Sequence, residues 1–145
     1  MKSLAPKLMT VLSKCLKALS THAERHITEL GLGVTDFAVL EALLHKGPLS
    51  ISCIGEKVLL TSGSMTAAVD RLEAKNLVTR NSHATDRRTK LIELTPCGRA
   101  LITRAFALHT EALQKAVEGV PVQDQKQLIA LATSVGKIAS DNLPN

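Results

Sequence analysis

The first thirty residues place apolar side chains at intervals of three and four positions, which is the repeat of one face of an α-helix. The repeat predicts a helix from Leu4 to Leu30, ended by Gly31 and Gly33. Such a helix is about 40 Å long, which exceeds the width of a small domain. We therefore expect part of its apolar face to contact a second chain.

Shorter amphipathic segments follow, each bounded by turn-forming residues. Thr35 is a good N-cap for a second helix, and Gly47-Pro48 is expected to end it. Leu49–Ile51 has the length of one edge strand, and Ser52 is expected to cap a third helix of about two turns. This part of the chain is thus predicted to be a pair of helices joined by a short extended segment.

Small and hydroxyl side chains mark the start of the fourth helix. Thr61–Ser64 is expected to form a tight turn that leads into a helix over Met65–Lys75, and Asn76 suits the left-handed residue that ends it. A helix end with small side chains can enter the major groove of DNA, where hydroxyls bond bases or phosphates. The side chains in question are those of Ser62, Ser64, Thr66 and Ala67.

From Leu77 onward the apolar period changes from near four to two, which is typical of β-strands. Leu77–Asn81 and Lys90–Leu94 are predicted to pair as a hairpin with a long loop. The loop between them, Ser82–Arg88, is polar and basic. A projecting arginine at such a tip suits the narrow, negative minor groove of DNA.

Two long helices are predicted after the hairpin. Thr95-Pro96 starts the first, which Gly119 ends, and Pro121 opens the second. The predicted fold class is mainly α with a small β-hairpin wing: a winged helix-turn-helix flanked by long dimerisation helices. We assign residues 35–94 to the DNA-binding region, and residues 1–34 and 95–145 to the helical dimerisation region of one intertwined domain.

Composition narrows the range of mechanisms. Phe37 and Phe106 are the only aromatic residues, so the core must be aliphatic, and mechanisms that need a Tyr hydroxyl or an aromatic stacking platform are disfavoured. No apolar run approaches the roughly 18–20 residues of a membrane span, and lysines interrupt the segment that a secretory signal would need. Three cysteines without framework spacing favour reduced thiols in the cytoplasm.

The net charge is confined to one third of the chain. Residues 57–104 hold nine Lys and Arg against four Asp and Glu, and the remainder holds nine of each, so this window carries the whole net charge of +5. A confined basic region is the electrostatic footprint expected for a polyanion. A basic but merely solvated surface would have the same composition.

Several segments of this window match a known family. They are Val34–Leu40, Ser64–Glu73, Leu77–Arg80, and above all Asp86-Arg87-Arg88 followed by Leu94-Thr95-Pro96-Cys97-Gly98. The run 31–98 resembles the multiple-antibiotic-resistance regulator (MarR) family of transcription factors. The resemblance implies an obligate homodimer, held by the first and last two helices, that binds a pseudo-palindromic operator on double-stranded DNA, usually as a repressor.

Within this resemblance, the wing tip has the most specific roles. Asp86 resembles the wing acid that orients an arginine, and Arg88 the arginine that enters the minor groove, with Arg87 as the alternative. The candidate DNA-binding set is Ser62, Ser64, Thr66, Ala67, Arg71, Asp86, Arg87, Arg88 and Lys90. Purely structural roles stay open for two of them, since Arg71 could pair with Asp70 or Glu73 and Asp86 could cap a turn.

Members of the family release DNA on binding a small phenolic or lipophilic acid, or on cysteine oxidation. Cys15 lies where the family's hydroperoxide sensors carry their thiol, but this chain lacks the Tyr that polarises it. Cys15 also lies in an apolar stripe, where a buried, inert cysteine is common. Cys97, in the first turn of a helix, is a second redox candidate. The candidate walls of an effector site are Leu16, Leu19, Phe37, Leu40 and Met65.

No metal, cofactor or catalytic residue is predicted. His22 and His26 have ligand spacing, but a third ligand, such as Glu29 or His109, could approach only through the fold. The chain lacks the constellations of nucleophilic or acid–base catalysis and phosphate-binding fingerprints, so an enzyme is not expected. Two other functions stay open: an architectural DNA-binding protein without an effector switch, and a winged-helix module that binds proteins.

Overall fold

A computed structural model describes residues 3–58 and 62–144 of the chain, with Ser62 described by its backbone alone. It confirms the predicted fold class, mainly helical with a small antiparallel sheet. The elements are α1 (Ala5–Glu29), α2 (Val34–Lys46), β1 (Leu49–Ser50), α3 (Ile51–Val58), α4 (Ser62–Ala74), β2 (Val78–Ser82), β3 (Lys90–Leu94), α5 (Pro96–Ala116) and α6 (Val122–Asp141). None of the helices in the described ranges is long and apolar enough to span a membrane.

The sheet has the order β1-β3-β2, and both pairings are antiparallel. The hairpin of β2 and β3 pairs Val78 with Leu94 and Ser82 with Lys90, which places residues 83–89 at its tip. Two-residue β1 pairs with the other side of β3, Leu49 opposite Ile92, and is the predicted edge strand. The β-hairpin is thus the wing of a winged helix-turn-helix.

The chain divides into two compact units, Met1–Leu113 and Gln114–Asn145. In the first unit, one core, aliphatic except for Phe37, joins the end of α1, α2, α3, α4, the sheet and the first part of α5. Its most deeply buried side chains include Leu40, Ile54, Met65, Leu72 and Ile92, each fully excluded from solvent. Burial of such side chains contributes about 1.5–3 kcal/mol each, so this core stabilises the region that carries the wing.

The helix starts differ from the predictions at three places. Helix α2 begins at Val34, with extended Gly33 as its N-cap, so Thr35 lies inside the helix and is not the cap. Helix α3 begins before Ser52, and the Ser50 hydroxyl instead accepts a hydrogen bond from the Cys53 N–H at 3.3 Å. Ser62–Ser64 is already helical, whereas Thr61 lies outside the described residues.

The end of α4 was predicted correctly. Asn76 has φ 56°, the left-handed conformation expected of a residue that ends a helix. The amide N–H groups of Asn76 and Leu77 donate to the carbonyls of Glu73 and Leu72, each at 2.9 Å. These two hydrogen bonds satisfy carbonyl groups in the last turn of α4 and direct the chain into β2.

Thr95 and Gly98 join the end of the hairpin to the start of α5. The Thr95 hydroxyl donates to the Asn76 carbonyl at 2.7 Å and accepts from the Gly98 N–H at 2.9 Å, which makes Thr95 the predicted N-cap. The Thr95 N–H donates to the Leu77 carbonyl at 3.1 Å. A Cβ at Gly98 would lie 1.9 Å from the Leu77 carbonyl oxygen, so only glycine fits there.

The second unit consists mainly of α6. The helix begins after Pro121, as predicted, and the Gln125 side-chain amide donates to the Val120 carbonyl at 2.9 Å. None of its described residues is buried. Its apolar side chains are all substantially exposed in the single chain: Leu128, Ile129, Leu131, Val135 and Ile138.

Candidate nucleic-acid interface

Helix α4 buries one face and exposes the other. Met65, Ala68, Val69 and Leu72 are fully buried, because they recur at the helical spacing of three and four. Between them, Gly63, Ser64, Thr66 and Ala67 are exposed, in the first two turns of the helix. In these first two turns the exposed face therefore carries only small side chains, which leaves the helix start accessible to a groove. The Ser62 side chain lies outside the description.

The wing tip is a turn fixed by Asp86. Its carboxylate accepts hydrogen bonds from the Arg88 N–H at 2.9 Å and from the Thr89 hydroxyl at 3.1 Å. These bonds, the one from the Arg88 backbone first, hold the pKa of Asp86 below its ordinary value, so the carboxylate is ionised at neutral pH. Asp86 thus fixes the backbone from which Arg88 projects, and does so through the main chain.

Arg87 and Arg88 are exposed at this tip, and Lys90 is exposed at its base. The Lys90 ammonium donates to the Ser82 hydroxyl at 2.9 Å, across the last pair of the hairpin. The His83 N–H also donates to the Thr89 carbonyl at 3.0 Å. The two arginines therefore extend from a closed and braced loop.

Arg71 is held by an acid that the sequence did not suggest. Its guanidinium donates to both carboxylate oxygens of Asp36, at 2.7 and 3.5 Å. Asp36 lies in the first turn of α2 and is only 4% exposed. The pair raises the pKa of Arg71 and joins α4 to α2. Neither Asp70 nor Glu73, the partners considered from the sequence, forms this ion pair.

Asp70 and Glu73 bind a different arginine. The Arg80 guanidinium, on β2, forms a hydrogen-bonded ion pair with Asp70 and a second ion pair with Glu73 at 3.4 Å. From the sequence, Arg80 was placed in a strand, in the basic window and in a family-matching segment, but it was given no partner and no role of its own. The signal that could have found it is the strand alternation, which places Arg80 on the same side of β2 as buried Val78.

The five candidate effector residues are not brought together in one open cavity. Phe37, Leu40 and Met65 belong to the aliphatic core and are at most 2% exposed. Leu16 is exposed and Leu19 half-buried, both on α1 and both outside that core cluster. An effector that used all five would have to enter packed core.

The candidate thiols and histidines lie at different depths. Cys15, Cys53 and Cys97 are all exposed and free in the single chain, so the buried Cys15 considered from the sequence is not seen there. His109 is buried on α5, with its ring centroid 4.8 Å from that of Phe37 and 6.1 Å from that of His26. Among the described residues, no three His, Cys, Asp or Glu side chains are grouped to hold a metal ion.

Comparison with known proteins agrees with this geometry. Residues 32–90 match the model of the MarR family. Over 130 residues, 90% of each chain, the protein is 36% identical to the HTH-type transcriptional regulator MhqR of Bacillus subtilis (strain 168). It is 33% identical to the HTH-type transcriptional regulator YkoM of the same organism, over 91% of this chain and 86% of that protein.

Two solved structures extend the similarity to almost the whole fold. The transcriptional regulator BldR from Sulfolobus solfataricus is 28% identical with a TM-score of 0.78, over 97% of this chain and 99% of that chain. CouR from Rhodococcus jostii RHA1, bound to p-coumaroyl-CoA, is 25% identical with a TM-score of 0.80, over 93% and 95%. The wing, the exposed start of α4 and the similarity to these relatives lead to one conclusion: the chain belongs to the MarR family of winged-helix, DNA-binding transcriptional regulators.

Proposed function

We propose that the protein is a cytoplasmic homodimer that binds a pseudo-palindromic operator and represses transcription until a small lipophilic or phenolic ligand, or cysteine oxidation, releases it. The observation that carries the proposal is the wing tip: two exposed arginines on a turn whose backbone is fixed by Asp86. In this proposal α4 enters the major groove and Arg88, with Arg87 as the alternative, enters the adjacent minor groove.

The candidate residues have three different roles in this proposal. Ser64, Thr66 and Ala67 lie on the exposed face of α4, and we assign them, with Ser62, to the major groove. Lys90 lies at the exposed base of the tip, and we assign it to a phosphate, which adds affinity without sequence preference. Arg71 and Asp86 support the proposal indirectly, since Arg71 joins α4 to α2 through Asp36 and Asp86 fixes the backbone of the wing tip.

Exposed apolar surface supports the dimer. Before and along α1, Leu4, Leu8, Met9 and Leu16 are 43–76% exposed. On α6, Leu128, Ile129, Leu131 and Ile138 are 50–66% exposed. Soluble single chains rarely leave such helical stripes uncovered, because apolar surface is costly in water. A second copy that covers the α1 and α6 stripes is the arrangement we propose.

A ligand-controlled switch is supported by CouR, whose structure contains p-coumaroyl-CoA. A ligand of similar character, with a phenolic acyl group, is the class we would test first here. Exposed Cys15 and Cys97 support the oxidation route instead. The two routes separate cleanly: Cys15→Ser and Cys97→Ser together would abolish release by peroxide and leave release by a ligand unchanged.

The first experiment is a titration of the protein into labelled DNA from its own promoter, with scrambled DNA of equal length, at several salt concentrations. Operators are typically preferred by about 10³–10⁷-fold. Arg88→Ala is expected to weaken operator binding by about tenfold or more, since an inserted arginine is worth about 1–3 kcal/mol. Arg104→Ala, which removes an exposed arginine of α5 outside the wing, is the control of equal charge.

Each outcome decides between the functions. A promoter preference that Arg88→Ala reduces and Arg104→Ala leaves intact supports the proposed regulator. Equal affinity for both DNAs with a steep salt dependence would favour an architectural DNA-binding protein. If both variants lose the same operator affinity, the wing tip has no specific role in binding and contributes only positive charge.

A further inference from the structure

Arg80 lies where an apolar side chain would be expected. Strand alternation places it on the same side of β2 as Val78, which is 1% exposed, and its cross-strand partner is fully buried Ile92. A charged residue on the buried side of a strand requires partners, because an unpaired charge there is costly. The position therefore points to a specific function for the guanidinium.

The partners of Arg80 lie on α4. One terminal nitrogen of the guanidinium bonds Asp70, and the other lies 3.4 Å from Glu73, three residues further along the helix. The arginine side chain is 30% exposed, less than either acid. One guanidinium of the wing therefore spans two carboxylates of α4, a fork that a compact ammonium could not reproduce.

The same part of α4 is also held from α2. Arg71, next to Asp70 in sequence, pairs with buried Asp36. The charged residues 70, 71 and 73 are thus all engaged within the protein, whereas the exposed residues 63, 64, 66 and 67 present the helix start. The exposed face of α4 therefore has small side chains in its first half and, in its second half, charged side chains that form ion pairs with α2 and β2.

We propose that Arg80 and Asp70 are positioning residues for DNA recognition: their ion pair fixes the wing relative to α4, so that the helix start and the Arg87–Arg88 tip engage one operator half-site together. Neither residue touches DNA in this proposal. The inference rests on the proposed function, because it explains how two DNA-contacting elements of one protomer keep a fixed separation.

The sign of one substitution separates positioning from simple electrostatics. Asp70→Asn removes a negative charge close to a polyanion, so electrostatics alone predicts tighter binding to any DNA. Positioning predicts weaker binding to the operator, by about tenfold, with binding to scrambled DNA unchanged or tighter. Glu56→Gln, which neutralises an exposed acid of neighbouring α3, is the matched control and is expected to bind the operator at least as tightly as wild type.

A double-mutant cycle tests the route through the wing. If Asp70 acts by placing the tip, Arg88→Ala will cost much less in the Asp70→Asn protein than in wild type. Asp70→Glu, which retains a carboxylate, is expected to restore part of the affinity and of the coupling. Thermal melts of all variants distinguish loss of folding from displacement of the wing tip. If Asp70→Asn does not fold, Arg80→Lys replaces it in the cycle.

The outcomes are distinct from those of the proposed function. A wild-type protein that shows no promoter preference fails the proposed function itself, and this inference with it. A wild-type protein that prefers its promoter, while Asp70→Asn binds the operator as tightly as Glu56→Gln, overturns positioning alone. Additive losses from Asp70→Asn (or Arg80→Lys) and Arg88→Ala would overturn it as well.

Discussion

Helices α5 and α6 have nearly the same length, 21 and 20 residues, and both carry an apolar stripe at helical spacing. In α5 the stripe is buried at Ile102 and Ala105, and polar His109 is buried as well. In α6 none of the described residues is buried. The two helices therefore have the same pattern and opposite environments in the single chain.

The difference shows what an amphipathic pattern specifies. The periodicity of the sequence shows that a helix has an apolar face that must be buried. The surface that buries this face can belong to the same chain or to another. In proteins most of the stability of a helix comes from packing of its apolar face, so α6 is expected to depend on the second copy for its stability. The following predictions test this contrast, starting with the largest effect.

Two glycine-to-alanine substitutions should have opposite effects. In Gly98→Ala the new methyl group would collide with the Leu77 backbone, which cannot move without opening the junction of wing and α5. We expect a loss of at least about 3 kcal/mol in the free energy of unfolding. Gly136→Ala, in α6, meets nothing within 4 Å and should gain about 0.5–1 kcal/mol from helix propensity.

Chemical denaturation with circular dichroism measures both glycine variants. A destabilising Gly136→Ala would show that a second chain packs closely against that glycine. A neutral Gly98→Ala would contradict the close approach of the Leu77 carbonyl.

Two isoleucine-to-alanine substitutions compare the stripes directly. Ile102 is fully buried, so Ile102→Ala should cost about 2–5 kcal/mol at any protein concentration. Ile138 is 57% exposed in the single chain, so Ile138→Ala should leave each chain folded but lower the melting temperature most at low concentration, where dimers dissociate. Sedimentation and melting over a concentration series give the answer. Concentration-independent melting for both variants would contradict the dimer role of α6.

The buried histidine of α5 should make stability depend on pH. Burial lowers the pKa of His109 below 6.5, and nearby His26 lowers it further, while Glu41 opposes them. As the pH is lowered, His109 is therefore protonated near pH 6.5 in the unfolded chain but only at a lower pH in the folded chain. The free energy of unfolding is thus greatest above this pH and falls as the pH is lowered.

Melting curves between pH 7.5 and 5.5 test the His109 prediction. His109→Phe keeps an aromatic ring against Phe37 but cannot be protonated, and should flatten the dependence. His22→Gln, at an exposed position of α1, should leave it as in wild type. An unchanged slope in His109→Phe would assign the dependence to another group. The expected effect is smaller than those of Gly98→Ala and Ile102→Ala.

Local signals in the sequence were reliable where one residue type fits one conformation. The left-handed Asn76, the Thr95 N-cap and the strand Lys90–Leu94 all agree with the predictions. Thr35 failed as a cap because Gly33, already extended, ends the preceding turn and lets α2 begin at Val34. A good capping residue therefore indicates that a helix starts nearby, but it does not fix the residue at which the helix begins.

The candidate site was less accessible to sequence reasoning than the fold. The exposed wing tip follows from local composition, but the partner of Arg71 lies 35 positions away. The two partners of Arg80 lie on a different element from the arginine itself. Such pairs depend on how the helices and strands pack against each other, and a short stretch of sequence does not reveal this packing. Charge counting gave a basic region and could not tell which arginines are already occupied.

The Thr95 hydroxyl has a further consequence for how such regulators can diversify. Because it ties the Asn76 carbonyl to the start of α5, the hairpin leaves and re-enters the domain at a single closed point. Residues inserted at the tip would lengthen the reach of the wing at a small cost in loop entropy, without altering the core. The wing is thus an interchangeable module, whose length and charge can evolve, or be engineered, separately from the domain that holds it.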